Sequence, residues 1–360
     1  MKHLLFTTAL VLMAACSSGG NTGEDPEPGK PAEEGGFDAG SFTLAATLCT
    51  ENPSPEAVRV YDFLCEQFGQ KVLAGAMSSV SWNMDEVEWL HTTTGRYPAL
   101  WCVDYIHLAW GEPDWTGYAD LQMAQDWWDA NGLMAASWHW NVPKHEGDTD
   151  PSQMGFYTAD TDFDVSQATV AGSYENGIIE ADIDRIVVHL KRLRDRNIPL
   201  LWRPLHEASG GWFWWGAKGP EAYKKLWIYL FERLQEEGLN NLIWVWTSQG
   251  DDPGWYPGDA YVDIVGYDSY PSTDVHASLK ATFDRLIALT GGRKLLTLSE
   301  CGGVPMPAAM YESGDMWSWF MPWYGDYTSG GKDNSAQDFR TIFNDERVLT
   351  RDRMPDLHAE

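Results

Sequence analysis

Two glutamates stand where a chain could do acid–base chemistry. Glu207 closes an apolar run inside Leu200–Gly216, LLWRPLHEASGGWFWWG, and Glu300 closes another inside the short motif LSECG. Each reads as a buried parallel strand that delivers a carboxylate at its C-terminal end. Beyond Glu207, the residues Ala208, Ser209, Gly210 and Gly211 let the backbone turn sharply. Trp212, Phe213, Trp214 and Trp215 then supply more aromatic surface than a routine exposed loop carries. A carboxylate at a strand end, walled by tryptophan, suits a sugar cleft. The competing reading is a buried, ion-paired glutamate beside core aromatics.

Cleavage of a glycosidic bond with retained configuration needs two carboxyls about 5–5.5 Å apart. One must hold a proton for the leaving oxygen, and the other must be charged to attack the anomeric carbon. An apolar wall raises one pKa, and a cationic donor keeps the other carboxylate ionised. Arg203 is the candidate donor, because strand alternation places residues 203, 205 and 207 on one face. An inward arginine needs an anionic partner; Glu300 is the candidate, and a structural aspartate is the alternative.

The intervening sequence supplies the elements to hold such a pair. Strands are expected at Val72–Ser78, Ala99–Tyr105, Leu133–Trp140, Leu200–Glu207, Asn241–Thr247, Asp263–Tyr270, Leu295–Cys301 and Phe320–Gly325. Helical spacing falls between them, at Asp85–Thr94, Ala119–Ala130, Glu175–Arg196, Pro220–Glu237, Ala277–Thr290 and Ser335–Arg347, with a lead-in helix over 54–68. Pro220 suits a first helical turn, and Gly238 and Gly291 suit helix ends. Eight strands alternating with helices predict an α/β fold, a single (β/α)8 TIM barrel over residues 41–360. The rival is a doubly wound sheet, which usually carries a glycine-rich loop after its first strand; VLAGAMSS has no GxGxxG. In a barrel the strand ends collect Trp138, His139 and Trp140, then His206 and Glu207, Asp268 and Tyr270, Glu300, and finally Trp323 and Tyr324. Strands four and seven lie across the mouth, so their glutamates face each other.

Composition narrows the partners. The 53 acidic against 25 basic residues give a net charge of −28, which opposes nucleic acid and anionic membrane surfaces. A neutral glycan is not repelled, and the 20 Trp and 15 Tyr offer flat faces for sugar rings, although many must be core. Residues 1–15, MKHLLFTTALVLMAA, read as an export signal ending at Cys16, which resembles a lipidated lipoprotein cysteine except that Met13 stands where Leu is usual. Residues 16–40 read as a lipidated Cys and a flexible acidic linker. The expected address is the cell envelope, with membrane attachment through lipid alone and the outer membrane favoured. Cys49 and Cys65 could pair, whereas Cys102 and Cys301 sit on strand-like runs as small buried residues. No cysteine spacing suggests zinc.

The segment WRPLHE…GGWFWWG, joined to a second glutamate in a short strand-seven motif, resembles glycoside hydrolase family 26. That resemblance implies a retaining β-mannanase with no metal or organic cofactor, acting as a monomer on mannan or manno-oligosaccharides. It assigns Glu207 as general acid/base and Glu300 as nucleophile. His206 would lie beside the sugar at the cleavage point, and Tyr270 would contact the nucleophile. Trp212 and Trp323 would be aromatic platforms, and His139 a sugar-hydroxyl contact. Ala208 and Cys301 depart from the residues usual beside the two glutamates. The alternatives are a β-1,3-xylanase or mixed-linkage glucanase of the same family, or a non-catalytic surface glycan-binding lipoprotein.

Overall fold

The computed structural model describes residues 35–79, 82–108 and 117–358; residues 1–15, read as an export signal, and Cys16 lie outside the described residues. Eight parallel strands form the barrel. They are β1 (Val72–Met77), β2 (Leu100–Asp104), β3 (Leu133–Trp138), β4 (Leu200–Pro204), β5 (Leu242–Ser248), β6 (Ile264–Ser269), β7 (Leu295–Cys301) and β8 (Trp319–Pro322). Each pairs with the next, and β8 pairs back to β1 through Leu73 opposite Trp319. Closure settles the choice against an open sheet, since a closed barrel has no edge to leave unpaired.

Among the described residues, eight α-helices alternate with or flank these strands: α1 (Pro55–Gln67), α2 (Asp85–Thr94), α3 (Gln122–Asp129), α4 (Tyr174–Arg194), α5 (Pro220–Glu236), α6 (Lys280–Thr290), α7 (Pro307–Ser313) and α8 (Ala336–Asn344). Pro220 does open α5, and Gly291 does end α6 in a left-handed conformation. Of these, α7 has no counterpart in the sequence reading, because seven residues flanked by proline and glycine carry too little periodicity.

Side-chain alternation divides the core into two layers. Leu201, Arg203, Cys102, Ala135, Val245 and Ser299 share a small space inside the barrel. Trp202, Trp244 and Trp246 are fully buried, and Trp244 packs on Trp227 and Phe231 of α5. The tryptophan wealth is therefore largely structural: Trp214 and Trp215 are also core, each fully buried. Cys102 and Cys301 are buried as expected, and Cys49 and Cys65 are free thiols, so the pairing considered for them is not formed.

Three strands end clearly earlier than the sequence implies, among them β8, which stops at Pro322 and leaves Trp323 and Tyr324 beyond it. β4 stops at Pro204, and Leu205 and Glu207 take left-handed φ values of 51° and 54°. The shared face expected for residues 203, 205 and 207 is thus broken after Arg203. β3 stops at Trp138, leaving His139 and Trp140 in the following loop. On β7 the register slips between the pairs Tyr267–Leu298 and Asp268–Glu300, a bulge that admits one extra residue. Gly266 makes room for it, because a Cβ there would stand 2.3 Å from the Ser299 hydroxyl.

Phe37, within the segment read as linker, stacks on Phe42 and meets Phe68 and Phe283 edge-on. Removing residues 35–41 exposes this cluster. Loss of one such ring removes up to about 1.5–3 kcal/mol of burial. A chain beginning at residue 42 should therefore melt a few degrees below one beginning at residue 35, as differential scanning calorimetry would record; equal melting temperatures would show that the ring contributes nothing.

Candidate active site

At the C-terminal mouth of the barrel lies a cleft of about 470 Å³, lined by His139, His206, Glu207, Trp212, Phe213, Tyr270, Glu300 and Trp323, among others. Seven of the eight sequence-selected residues line it, and Arg203 lies in the floor. Arg203 donates to Glu300 Oε1 through Nη2, and through Nη1 to Asp268 Oδ2 at 3.0 Å and Thr247 Oγ1 at 3.3 Å. Both partners weighed for Arg203 are thus present at once, one carboxylate from β6 and one from β7. Asp268 also accepts from the Ser299 hydroxyl at 2.7 Å, which the β7 bulge turns inward next to Glu300. The hydroxyl of Tyr270 donates to the other oxygen of Glu300 at 2.8 Å.

Glu207 faces this group from the end of β4. One oxygen each from Glu207, Asp268 and Glu300 lie within 4.8 Å of one another. Such a trio has the spacing of a cation site, but the guanidinium of Arg203 already supplies the positive charge between Asp268 and Glu300. The separation suits retention, which uses about 5–5.5 Å, better than inversion, which needs about 6.5–9.5 Å for an intervening water. The Trp212 indole N–H donates to Glu207 Oε2 at 3.0 Å. Trp212 can fold back that far because Gly210 has no side chain: a Cβ there would meet the indole at 2.1 Å.

The two glutamates differ in what surrounds them. Burial pushes the Glu207 carboxyl up to about 9, helped by the negative charges of Asp268 and Glu300 and opposed by Arg203 and the Trp212 N–H. Burial and Asp268 raise Glu300 less, to about 7, against the pull of Arg203 and the Tyr270 hydroxyl. Glu207 therefore keeps its proton to higher pH, and Glu300, with a donor on each oxygen, gives its proton up first.

The two histidines line the cleft and contact each other. His139 Nδ1 contacts Asp104 Oδ2, and its Nε2 lies 3.2 Å from Nε2 of His206. Both nitrogens of His139 are engaged within the protein, so a sugar hydroxyl would have to share or displace the His206 contact. Burial, with Arg203 and His139 nearby, pushes the His206 pKa well below the usual histidine value and keeps the ring neutral.

Sequence reasoning missed several contributors. Phe213 and Gln249 line the cleft, and Asp104 buttresses His139. The long segment 141–174 returns through a two-residue ribbon, Val142–Pro143 against Met154–Gly155. Thr158 then donates its N–H to the Trp212 carbonyl at 2.7 Å, and Trp214 donates to the Phe156 carbonyl at 3.0 Å. The tryptophan loop is thereby held by a distant segment, and no local spacing signals that pairing. Ser209 is clamped to Asp252 at 2.6 Å.

The profile of glycosyl hydrolase family 26 matches residues 49–353. The chain is 38% identical over 310 residues to a mannan endo-1,4-β-mannosidase of Thermothelomyces thermophilus, covering 84% of this chain and 62% of that relative. It spans 52–62% of the length of the curated relatives that it matches at 33–38% identity. Among solved structures, it is similar to a β-mannanase from a symbiotic protist of the termite Reticulitermes speratus, complexed with a gluco-manno-oligosaccharide. That match has 37% identity and a TM-score of 0.78, covering 87% of this chain and 99% of the other. The GH26 domain of an endo-β-mannanase/endo-β-glucanase from Prevotella bryantii matches at 34% identity and TM-score 0.78, covering 88% of this chain and all of that domain.

The raised pKa of Glu207 makes a stability prediction. An unfolded glutamate titrates near about 4.3, so above that pH folding takes up a proton at Glu207, and stability from this group falls as pH rises. Glu207→Gln removes the penalty. Its unfolding free energy should exceed that of the wild type by a margin that grows from about pH 5 to about pH 8. Urea denaturation at both pH values measures it, and a constant margin would contradict the raised pKa.

Proposed function

The chain belongs to glycosyl hydrolase family 26, and from that premise we propose that it is a retaining endo-β-1,4-mannanase acting on mannan, galactomannan or glucomannan backbones. The observation that carries the reaction is the pairing of a proton-holding Glu207 with a Glu300 whose two oxygens face Arg203 and Tyr270. The assignment to mannan is supported by similar proteins named mannan endo-1,4-β-mannosidase and by the oligosaccharide bound to the protist enzyme.

In this mechanism the sugar at the cleavage point lies between the two carboxyls. Glu207 gives its proton to the glycosidic oxygen as the Glu300 carboxylate attacks the anomeric carbon, and the bond to the leaving sugar breaks. The product of this step is a covalent mannosyl-enzyme with Glu207 ionised. Glu207 then takes a proton from water, whose oxygen attacks the anomeric carbon and releases Glu300. Two inversions restore the starting configuration and both protonation states. Arg203 and Tyr270 stabilise the charge that returns to Glu300 as it leaves. Trp212 holds Glu207 in place, and the exposed indole is free to stack on the sugar beyond the cleaved bond.

Linear β-1,4-mannan, β-1,3-xylan and mixed-linkage glucan discriminate the substrates, with reducing ends counted for the wild type and Glu300→Ala. Cleavage of mannan, lost by about 10³-fold or more in the variant, is the expected result. Cleavage of xylan or glucan alone would transfer the same machinery to another β-glycan. Binding without cleavage would refute the enzymatic reading. The kcat/KM profile should be bell-shaped, rising as Glu300 ionises and falling as Glu207 does.

Export and lipidation at Cys16 are also proposed, supported by the residues MKHLLFTTALVLMAAC. The mature chain would be held in the cell envelope by lipid, with the outer membrane favoured. Cells fed labelled palmitate should yield labelled protein from the wild type and none from Cys16→Ala; label in neither would remove the anchor.

A further inference from the structure

At the wall of the cleft, Asp104, His139 and His206 form a chain of contacts that the catalytic mechanism does not use. Asp104, at the end of β2, is buried. Its Oδ1 accepts the backbone N–H of His139 at 3.0 Å, and its Oδ2 accepts the Ser137 hydroxyl at 3.2 Å and contacts His139 Nδ1. His139 Nε2 meets His206 Nε2 at 3.2 Å, with the rings edge to face at 79°. The chain ends at His206 Nδ1, a buried nitrogen without a hydrogen-bond partner among the described residues. Glu207 is the next residue, in a left-handed conformation that a side-chain-bearing residue seldom adopts.

The donors and acceptors along this chain have one consistent assignment. An ionised carboxylate accepts only, so Nδ1 of His139 carries a hydrogen. The Asp104 carboxylate faces three donors: the Nδ1–H and backbone N–H of His139 and the Ser137 hydroxyl. Two nitrogens 3.2 Å apart then need one hydrogen between them. If His139 supplied it, His206 would carry its own hydrogen on Nδ1, leaving a buried N–H with no acceptor. If His206 supplies it, Nδ1 is a bare lone pair, the milder defect of the two. The order is therefore Asp104 carboxylate, H–Nδ1 of His139, bare Nε2 of His139, H–Nε2 of His206, bare Nδ1 of His206.

We propose that Asp104 is a positioning residue, which sets the tautomers of His139 and His206 and through them the placement of Glu207. It touches no reacting atom. Its effect is to present two acceptor oxygens to two donors of one residue, the backbone N–H and Nδ1–H of His139. The His206 ring is thereby pinned against Phe213 and Trp215, whose centroids lie 5.2 and 5.8 Å away. The Trp215 indole ties the His206 carbonyl at 2.8 Å, so ring and backbone are held from two sides immediately before the acid/base. An asparagine at 104 has the same shape but one acceptor and one donor, and it cannot satisfy both donors of His139. Facing Nδ1 with its amide N–H, it would force the hydrogen of His139 onto Nε2. His206 would then have to accept there and carry its hydrogen on the buried, acceptorless Nδ1.

The catalytic half of the test rests on the mannanase reading; the spectroscopic half does not. In 15N-histidine NMR, with signals assigned through His139→Gln and His206→Gln, the wild type should show His139 protonated at Nδ1 and His206 at Nε2. Asp104→Asn should invert or mix these tautomers while keeping a cooperative thermal transition. On mannan, Asp104→Asn should lower kcat by about 10-fold or more with little change in KM, the pattern of a misplaced catalytic group. In a His139→Gln background the same substitution should lower kcat less than about 2-fold, because the chain is already cut. A wild-type His206 protonated at Nδ1, or unchanged tautomers in Asp104→Asn, would overturn the proposal. So would an equal loss of kcat in both backgrounds, which would mark Asp104 as merely structural. A wild type with the expected tautomers and no activity on mannan would instead refute the mannanase reading and leave the histidine assignment standing.

Discussion

The structure turns on one buried cation. Arg203 sits inside the barrel with Asp268 on one nitrogen and Glu300 on the other. Three charges removed from water demand close pairing, because the loss of solvation of an ion in a protein interior amounts to several kcal/mol. That demand constrains the strands that supply them. β4 must point Arg203 inward, β6 must bring Asp268 level with it, and β7 must slip its register so that Ser299 and Glu300 both reach the centre. A net negative charge stays among these groups even after the arginine is counted, and it is this surplus, together with burial, that holds a proton on Glu207. The acid and the nucleophile are therefore distinguished by one shared network rather than by two separate pockets.

The aromatic residues do two kinds of work in sequence. Deep in the fold, Trp214 and Trp215 are fully buried and spend their indole N–H groups on the carbonyls of Trp140 and His206. Nearer solvent, Trp212 bonds Glu207 and leaves its face open. The turn between strand and tryptophans has left-handed residues at Leu205, Glu207 and Gly211. Such backbone is disfavoured for leucine and glutamate and persists only where surroundings impose it. The imposing contacts come from three directions: the indoles behind, the Asp252 clamp on Ser209, and the returning segment at Phe156 and Thr158.

Much of this was legible in the residues. Apolar runs of strand length separated by helical spacing marked eight strands in the right order, because each barrel strand is buried on both faces and carries a continuous signal. The two glutamates, Arg203, Tyr270, Trp212 and Trp323 could be placed because strand ends collect at one mouth. What escaped depends on departures from regularity. Alternation put Glu207 on the face of Arg203, yet the strand ends at Pro204 and a strained turn sets the glutamate instead. The β7 bulge has no sequence mark apart from Gly266 on the neighbouring strand. Asp104 was not singled out, since only the fold brings it under His139, thirty-five positions later. The role of the 141–174 segment is likewise a long-range pairing.

The central claim is that Glu207 and Glu300 act in two successive displacements across one anomeric carbon. The stereochemistry of the first-formed product tests it most directly. Proton NMR of the anomeric region, recorded within the first turnovers on manno-oligosaccharide and before mutarotation, should show the new reducing end appearing as the β anomer. Initial appearance of the α anomer would mean a single inverting displacement, and the roles of Glu207 as acid/base and Glu300 as nucleophile would be wrong.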